Sequence, residues 1–148
     1  MYSARKFNKN SYDKYDNFAK EILIKYLKKI GYEILSSVEN YEHDIVAKYN
    51  DNIYYFEVET KIKYPFKTKN TYAFDTVSFL GRKKRLHEIH KFKYIIICFE
   101  TLWGIGCESD IIYNDDYIEK LYIEKRNGDD ELYRVPIEKC SFFNLNTL

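Results

Sequence analysis

Asp44, Glu57, Glu59 and Lys61 are the residues whose types and spacing could do chemistry together. Asp44 opens the run Asp44-Ile45-Val46-Ala47-Lys48-Tyr49, and the other three alternate along Ile53-Tyr54-Tyr55-Phe56-Glu57-Val58-Glu59-Thr60-Lys61. Both runs are rich in β-branched and aromatic residues. The polar triplet Asn50-Asp51-Asn52 between them is turn chemistry, so the segment is expected to form a β-hairpin. With Asp51-Asn52 as a two-residue loop, Asn50 pairs with Ile53 and Asp44 falls opposite Glu59. Side chains alternate with period two, so Glu57, Glu59 and Lys61 share one face with Asp44, while Ile45, Ala47, Phe56 and Val58 take the other. A three-residue loop would reverse the faces unless a bulge restored the register.

Three carboxylates on one sheet face repel one another, and a bound divalent cation would compensate. Mg²⁺ prefers hard oxygen ligands, commonly one or two carboxylates completed by water and substrate phosphate, which Asp44 with Glu57 or Glu59 could supply. Lys61 beside them could orient or help deprotonate a metal-bound water, and the reaction that uses such a set is phosphodiester hydrolysis. The alternative is a solvated sheet face with ordinary cross-strand ion pairs.

The elements that must position these residues follow from periodicity. Phe18, Ile22, Leu23, Tyr26, Leu27 and Ile30 recur at helical spacing from about Asp13 to Ile30, and Gly31 is placed to stop that helix. Tyr32 to Leu35 reads as a short strand, Thr76 to Phe79 as extended, Gly81 to Lys91 as a short helix, and the apolar run Tyr94 to Phe99 as a central strand buried on both faces. Tyr117 to Lys125 and Glu131 to Ile137 flank Asn127-Gly128-Asp129-Asp130 as a second hairpin. The expected architecture is a single α/β domain over residues 1 to 148, with a mixed central sheet, a core at about 13–99 and a C-terminal hairpin extension at about 117–137.

The chain has 148 residues, 45% hydrophobic and 32% charged, which suits one globular core that needs neither disulfides nor a structural metal. Three cysteines, Cys98, Cys107 and Cys140, are far apart in sequence and form no C-x-x-C pair, which argues against a disulfide framework or zinc ribbon. No apolar run is long enough to span a membrane and no secretory signal is visible, so an intracellular, cytoplasmic protein is expected. The net charge of +1 hides a segregation: Lys61 to Lys93 holds ten basic residues against two acids, and Cys107 to the end holds ten acids against five bases. A basic face of that kind suits a polyanion. His87 and His90 stand three apart, but no cysteine or carboxylate pattern completes a zinc site around them.

The order helix, strand, strand-turn-strand, helix, strand, with Asp44-Ile45-Val46 and Glu59-Thr60-Lys61 in it, resembles the PD-(D/E)XK nuclease superfamily over roughly Asp13 to Phe99. That resemblance implies a restriction-endonuclease-like core, its sheet flanked by helices. It also implies a Mg²⁺- or Mn²⁺-dependent endonuclease acting on DNA, including branched or single-stranded DNA as in Holliday-junction resolvases and restriction enzymes, with a homodimer among its assemblies. Carried over by position, Asp44 is the first metal ligand, Glu59 the second and Lys61 the lysine of the E-x-K signature. Glu57 is kept as a ligand, because Glu57-Val58-Glu59 better matches the usual distance from the aspartate and some restriction enzymes place a glutamate where the lysine stands.

The sequence departs from the pattern at His43, where the family often has proline. It departs again on the first helix, where Ala19 aligns with a glutamate found in many relatives and Glu21 lies nearby as a substitute ligand. The element after the strand often contacts phosphates in such enzymes, which assigns that role to Arg82, Lys83, Lys84 and Arg85, with Lys67 and Lys69 before them. The alternative function is a nuclease-derived nucleic-acid-binding module without turnover; a weaker third reading is a structural subunit whose sheet face is a protein interface.

Overall fold

The computed structural model describes residues 9–37, 43–123 and 128–147. The elements run α1 (Lys9–Lys29), β1 (Glu33–Ser36), β2 (Ile45–Tyr49), β3 (Asn52–Lys61), β4 (Thr76–Leu80), α2 (Lys84–Ile89), β5 (Lys93–Cys98), β6 (Trp103–Glu108), α3 (Ser109–Ile112), β7 (Ile118–Ile123), β8 (Gly128–Pro136) and β9 (Ser141–Asn144). They form a mixed six-stranded sheet in the order β1-β2-β3-β5-β6-β9 and a separate three-stranded sheet in the order β4-β8-β7. In the larger sheet β3 and β5 are parallel, and every other neighbouring pair is antiparallel.

Helix α1 forms because Ala19, Leu23 and Leu27, at four-residue spacing, make one apolar stripe. That stripe packs on Ile45, Ala47, Phe56, Val58, Ile95 and Ile97, the odd β2 and even β3 positions together with alternate β5 positions. Gly31 closes the helix as expected: it takes φ +104°, Tyr32 N–H donates to the Leu27 carbonyl and Gly31 N–H donates to that of Lys28. These are the two bonds of a Schellman cap. Strand β5 is buried along Tyr94 to Cys98, as a central strand should be.

The opposite face of the sheet is covered differently from expectation. Tyr94, Ile96, Ile105 and Cys107 pack there against Val77, Phe79, Tyr133 and Val135 of the small sheet and Leu86 of α2. The flanking layers are thus one long helix on one side and a sheet with two short helices on the other, not helices on both. The segment read as one helix from Gly81 begins as a 3₁₀ turn, Gly81–Lys83, before α2. The second hairpin exists, with Ile118 opposite Tyr133 and Ile123 opposite Gly128. Gly128, Asp129 and Asp130 belong to strand β8 rather than to its turn, and the remainder of the expected turn, with Lys125, lies outside the described residues. The cysteines are all free and buried, and β6–β9 pairing makes neighbours of Cys107 and Cys140, far apart only in sequence.

Gly81 lets the turn before Lys83 lie directly on β8. A Cβ there would meet the Glu131 Cβ and carbonyl oxygen at 2.7 Å, and backbone cannot swing aside. Gly81→Ala is therefore expected to cost roughly 1–3 kcal/mol, as overpacking does, and to lower Tm in a thermal melt; an unchanged Tm would show that this approach is slack.

Candidate active site

The hairpin turn fixes the register. Asn50 and Asp51 both take positive φ, 49° and 66°, so they and not Asp51-Asn52 are the central turn residues, and Tyr49 pairs with Asn52. Two consecutive left-handed residues are what the right-handed strand twist favours in a tight hairpin. The register is therefore two residues from the expected one: Ile45 pairs with Phe56, and Asp44, just beyond, stands against Glu57 instead of Glu59. Because the shift is even, the face assignment survives.

Asp44 and Glu57 are each held by a backbone N–H from across the hairpin. The Asp44 N–H donates to Glu57 Oε2 at 3.0 Å, and the Val58 N–H donates to Asp44 Oδ2 at 3.0 Å. His43 is buried and places Nδ1 3.2 Å from Glu57 Oε2. An ionised carboxylate only accepts, so that nitrogen carries the proton. Its Nε2 has no hydrogen-bond partner among the described residues and sits among the rings of Tyr55, His90 and Phe92.

The cation between the carboxylates is Lys83. Its Nζ donates to Glu57 Oε1 at 3.0 Å, lies 3.6 Å from Asp44 Oδ2 and stands 5.2 Å from the Tyr94 ring centroid. Burial works against its charge, but Glu57 and Asp44 outweigh that and hold the ammonium above its usual pKa. Burial likewise pushes Glu57 up, yet His43, Lys83 and the Asp44 N–H together hold it below the ordinary carboxylate range. Asp44 is raised, since burial and the neighbouring Glu57 prevail over Lys83, the Val58 N–H and Lys20. Glu59, two residues along the strand, turns to Tyr94, whose O–H donates to its Oε1 at 2.7 Å; burial raises its pKa.

The first helix contributes a cation instead of a carboxylate. Glu21 is exposed, whereas Lys20, 8% exposed, places Nζ 3.9 Å from Asp44 Oδ1. Lys61 lies further along β3 with Nζ 5.8 Å from the Tyr64 ring centroid. Of the residues assigned to phosphate contact, Lys83 turns into the cluster, Arg82, Arg85, Lys67 and Lys69 are exposed, and Lys84 is partly buried. His87 is held by Ser109 Oγ at 2.6 Å while His90 stacks on Tyr55, so the two do not act as a pair.

Sequence reading missed Tyr94 and Lys20 as members of this site and gave Lys83 to phosphate contact, not to the carboxylates. Tyr94 carried a usable signal, since a hydroxyl in an otherwise apolar buried strand needs a partner. Lys20 carried none, and nothing local turned Lys83 from the basic block toward the carboxylates, because a lysine's burial is set by what folds over it.

A divalent cation can be tested against this donor set. One ammonium nitrogen lies within 3.0 and 3.6 Å of an oxygen from each carboxylate, so a single positive centre already serves both. Asp44 keeps its side chain 22% exposed, open enough for water or phosphate to complete the shell. Among the described residues no three His, Cys, Asp or Glu side chains come together as a metal-holding group. Among the same residues, no helix is long and apolar enough to cross a membrane. Compared with protein-family models, with curated proteins and with solved structures, the chain gives no match.

Proposed function

We propose that the chain is a Mg²⁺- or Mn²⁺-dependent nuclease that hydrolyses DNA phosphodiester bonds, with Asp44 and Glu57 as the metal-holding carboxylates and Lys83 as the ammonium beside them. The observation that carries this reading is the convergence of two carboxylates from adjacent strands on one cation position. A metal held there would polarise the phosphodiester and lower the pKa of its bound water. Lys83 offers positive charge where negative charge builds on the phosphate oxygens, from a partly dry site that strengthens it. His43 orients Glu57 through Oε2, the part that outer-shell partners play at such sites. Backbone N–H groups of Asp44 and Val58 hold Glu57 Oε2 and Asp44 Oδ2 in place, and a metal between the carboxylates would displace Lys83 Nζ from that position.

A second reading is a nuclease-derived DNA-binding module without turnover. It is favoured by the same carboxylates already being paired with the ammonium groups of Lys83 and Lys20. Incubation with supercoiled plasmid, linear duplex, single strand and a four-way junction, with Mg²⁺, Mn²⁺ or EDTA, decides between them. The expected result is metal-dependent cleavage abolished by Asp44→Asn and by Glu57→Gln. Absence of cleavage with salt-sensitive binding retained overturns the enzyme in favour of the module.

A further inference from the structure

We propose that the cleft beyond the carboxylate cluster binds an unpaired stretch of single-stranded DNA, with bases stacked on Tyr64 and Phe74 and the backbone held by Lys61. The inference rests on the DNA reading above and names the form of DNA the site takes.

The cleft is a cavity of about 300 Å³ whose lining includes Lys61, Tyr64, Tyr72, Phe74, Ser78 and Arg134. Asp75 also lines it. A neighbouring cavity of about 430 Å³ shares Lys61, Ser78 and Ile96 with it and reaches Glu59, so the groove runs along β3 toward the cluster. From Glu57 to Lys61 is four strand residues, about 13 Å at roughly 3.3 Å per residue, a distance a few nucleotides cover.

Its aromatic rings are presented, not packed away. Tyr64 is 57% and Phe74 45% exposed, and the two meet edge to face with centroids 5.1 Å apart; Tyr72 stands behind Phe74 at 5.7 Å. Tyr64 takes φ +55°, a strained left-handed backbone that an aromatic residue rarely adopts. A fold that holds an exposed tyrosine in this conformation gains nothing from it in core packing.

The partner's chemistry follows from charge. These rings lie in the most basic part of the chain, where Lys61, Lys63, Lys67 and Lys69 precede Asp75. An apolar protein partner has no use for that density of lysine, whereas a polyanion with exposed π-faces uses both features. In a duplex the base faces are already stacked on one another; in a single strand they are free.

The test is fluorescence anisotropy of the full chain in EDTA with a labelled oligo-dT 20-mer and with a hairpin duplex. Tyr64→Ala and Phe74→Ala are each expected to weaken oligo-dT binding roughly tenfold, within the range that stacking contributes per base, with duplex binding changed less than twofold. Tyr64→Phe should restore wild-type affinity, and Lys61→Ala should weaken both substrates and flatten the salt dependence. Unchanged oligo-dT affinity in both alanine variants, equal losses on duplex, or no single-strand binding by the wild-type chain would overturn the proposal. Asp44→Asn separates it from the nuclease reading: wild-type chain that binds oligo-dT through Tyr64 and Phe74 but cleaves nothing defeats only the nuclease. Cleavage that needs Asp44, with binding indifferent to both rings, defeats only the stacking cleft.

Discussion

Glu57→Ala lowers the stability of the folded chain by roughly 3–5 kcal/mol at neutral pH, the range for removing one partner of a buried ion pair. For a domain near this size that is a fall in Tm of about 6–20 °C. The loss is large because one carboxylate serves three neighbours: Lys83 Nζ, His43 Nδ1 and the Asp44 N–H. Alanine leaves all three facing a small, dry gap. Glu57→Gln keeps an acceptor for the N–H and is expected to lose less.

The pH dependence has a definite sign. Glu57 is held below its ordinary pKa in the folded state, so its contribution is complete above about 4.3, the unfolded value, and is lost as pH falls through the lower folded value. Urea melts of wild type and variant should therefore converge in strong acid. Melts that differ by under 1 kcal/mol at pH 7 would show that the cluster is solvated and contributes little.

Lys83→Met reverses the pH trend. Without the ammonium, Asp44 and Glu57 face each other with the Lys20 ammonium and the His43 hydrogen bond as remaining compensation, and two carboxylates so placed resist being charged together. Their folded pKa values rise, so the variant gains stability on acidification toward pH 5, where protonation relieves the repulsion. At neutral pH it is expected to lose about as much as Glu57→Ala. Under the nuclease proposal it also loses cleavage by about a hundredfold or more, whereas Lys61→Ala at saturating substrate keeps turnover within a few-fold. Full activity in Lys83→Met, or its loss in Lys61→Ala alone, would return the catalytic lysine to β3.

Much of this site was legible locally. The alternation Glu57, Glu59, Lys61 needs only the period of a strand, and the apolar stripe Ala19, Leu23, Leu27 only the period of a helix. The face shared with Asp44 followed from any two-residue turn, since shifting a hairpin by two residues changes the partner and not the side. Which two of Asn50, Asp51 and Asn52 form that turn is a choice among residues that all tolerate left-handed backbone, so Glu59 was paired with Asp44 where the fold pairs Glu57.

Contacts between distant segments lay beyond that reach. The crossover from β3 to its parallel neighbour β5 carries β4 and the Gly81 turn above the sheet. That lowers Lys83 onto a glutamate 26 residues earlier in sequence, while α1 lowers Lys20 onto Asp44. In sequence Lys20 looks like solvated charge and Lys83 like one more member of a basic block, and no periodicity marks either as a partner of the carboxylates. The pairing of β4 with β8, Thr76 opposite Pro136, is longer still, and it closes the apolar face that a second helical layer was expected to cover. The sequence by itself determined the first helix, the β2–β3 hairpin, the buried strand β5, their apolar faces and the row of charges on β3, because each depends on backbone period and local turn chemistry; β6, α3 and β9 were not read from it. Only the tertiary structure decided which carboxylate meets Asp44 and which cation joins them, because burial and ion pairing belong to the segments brought together and not to any one of them.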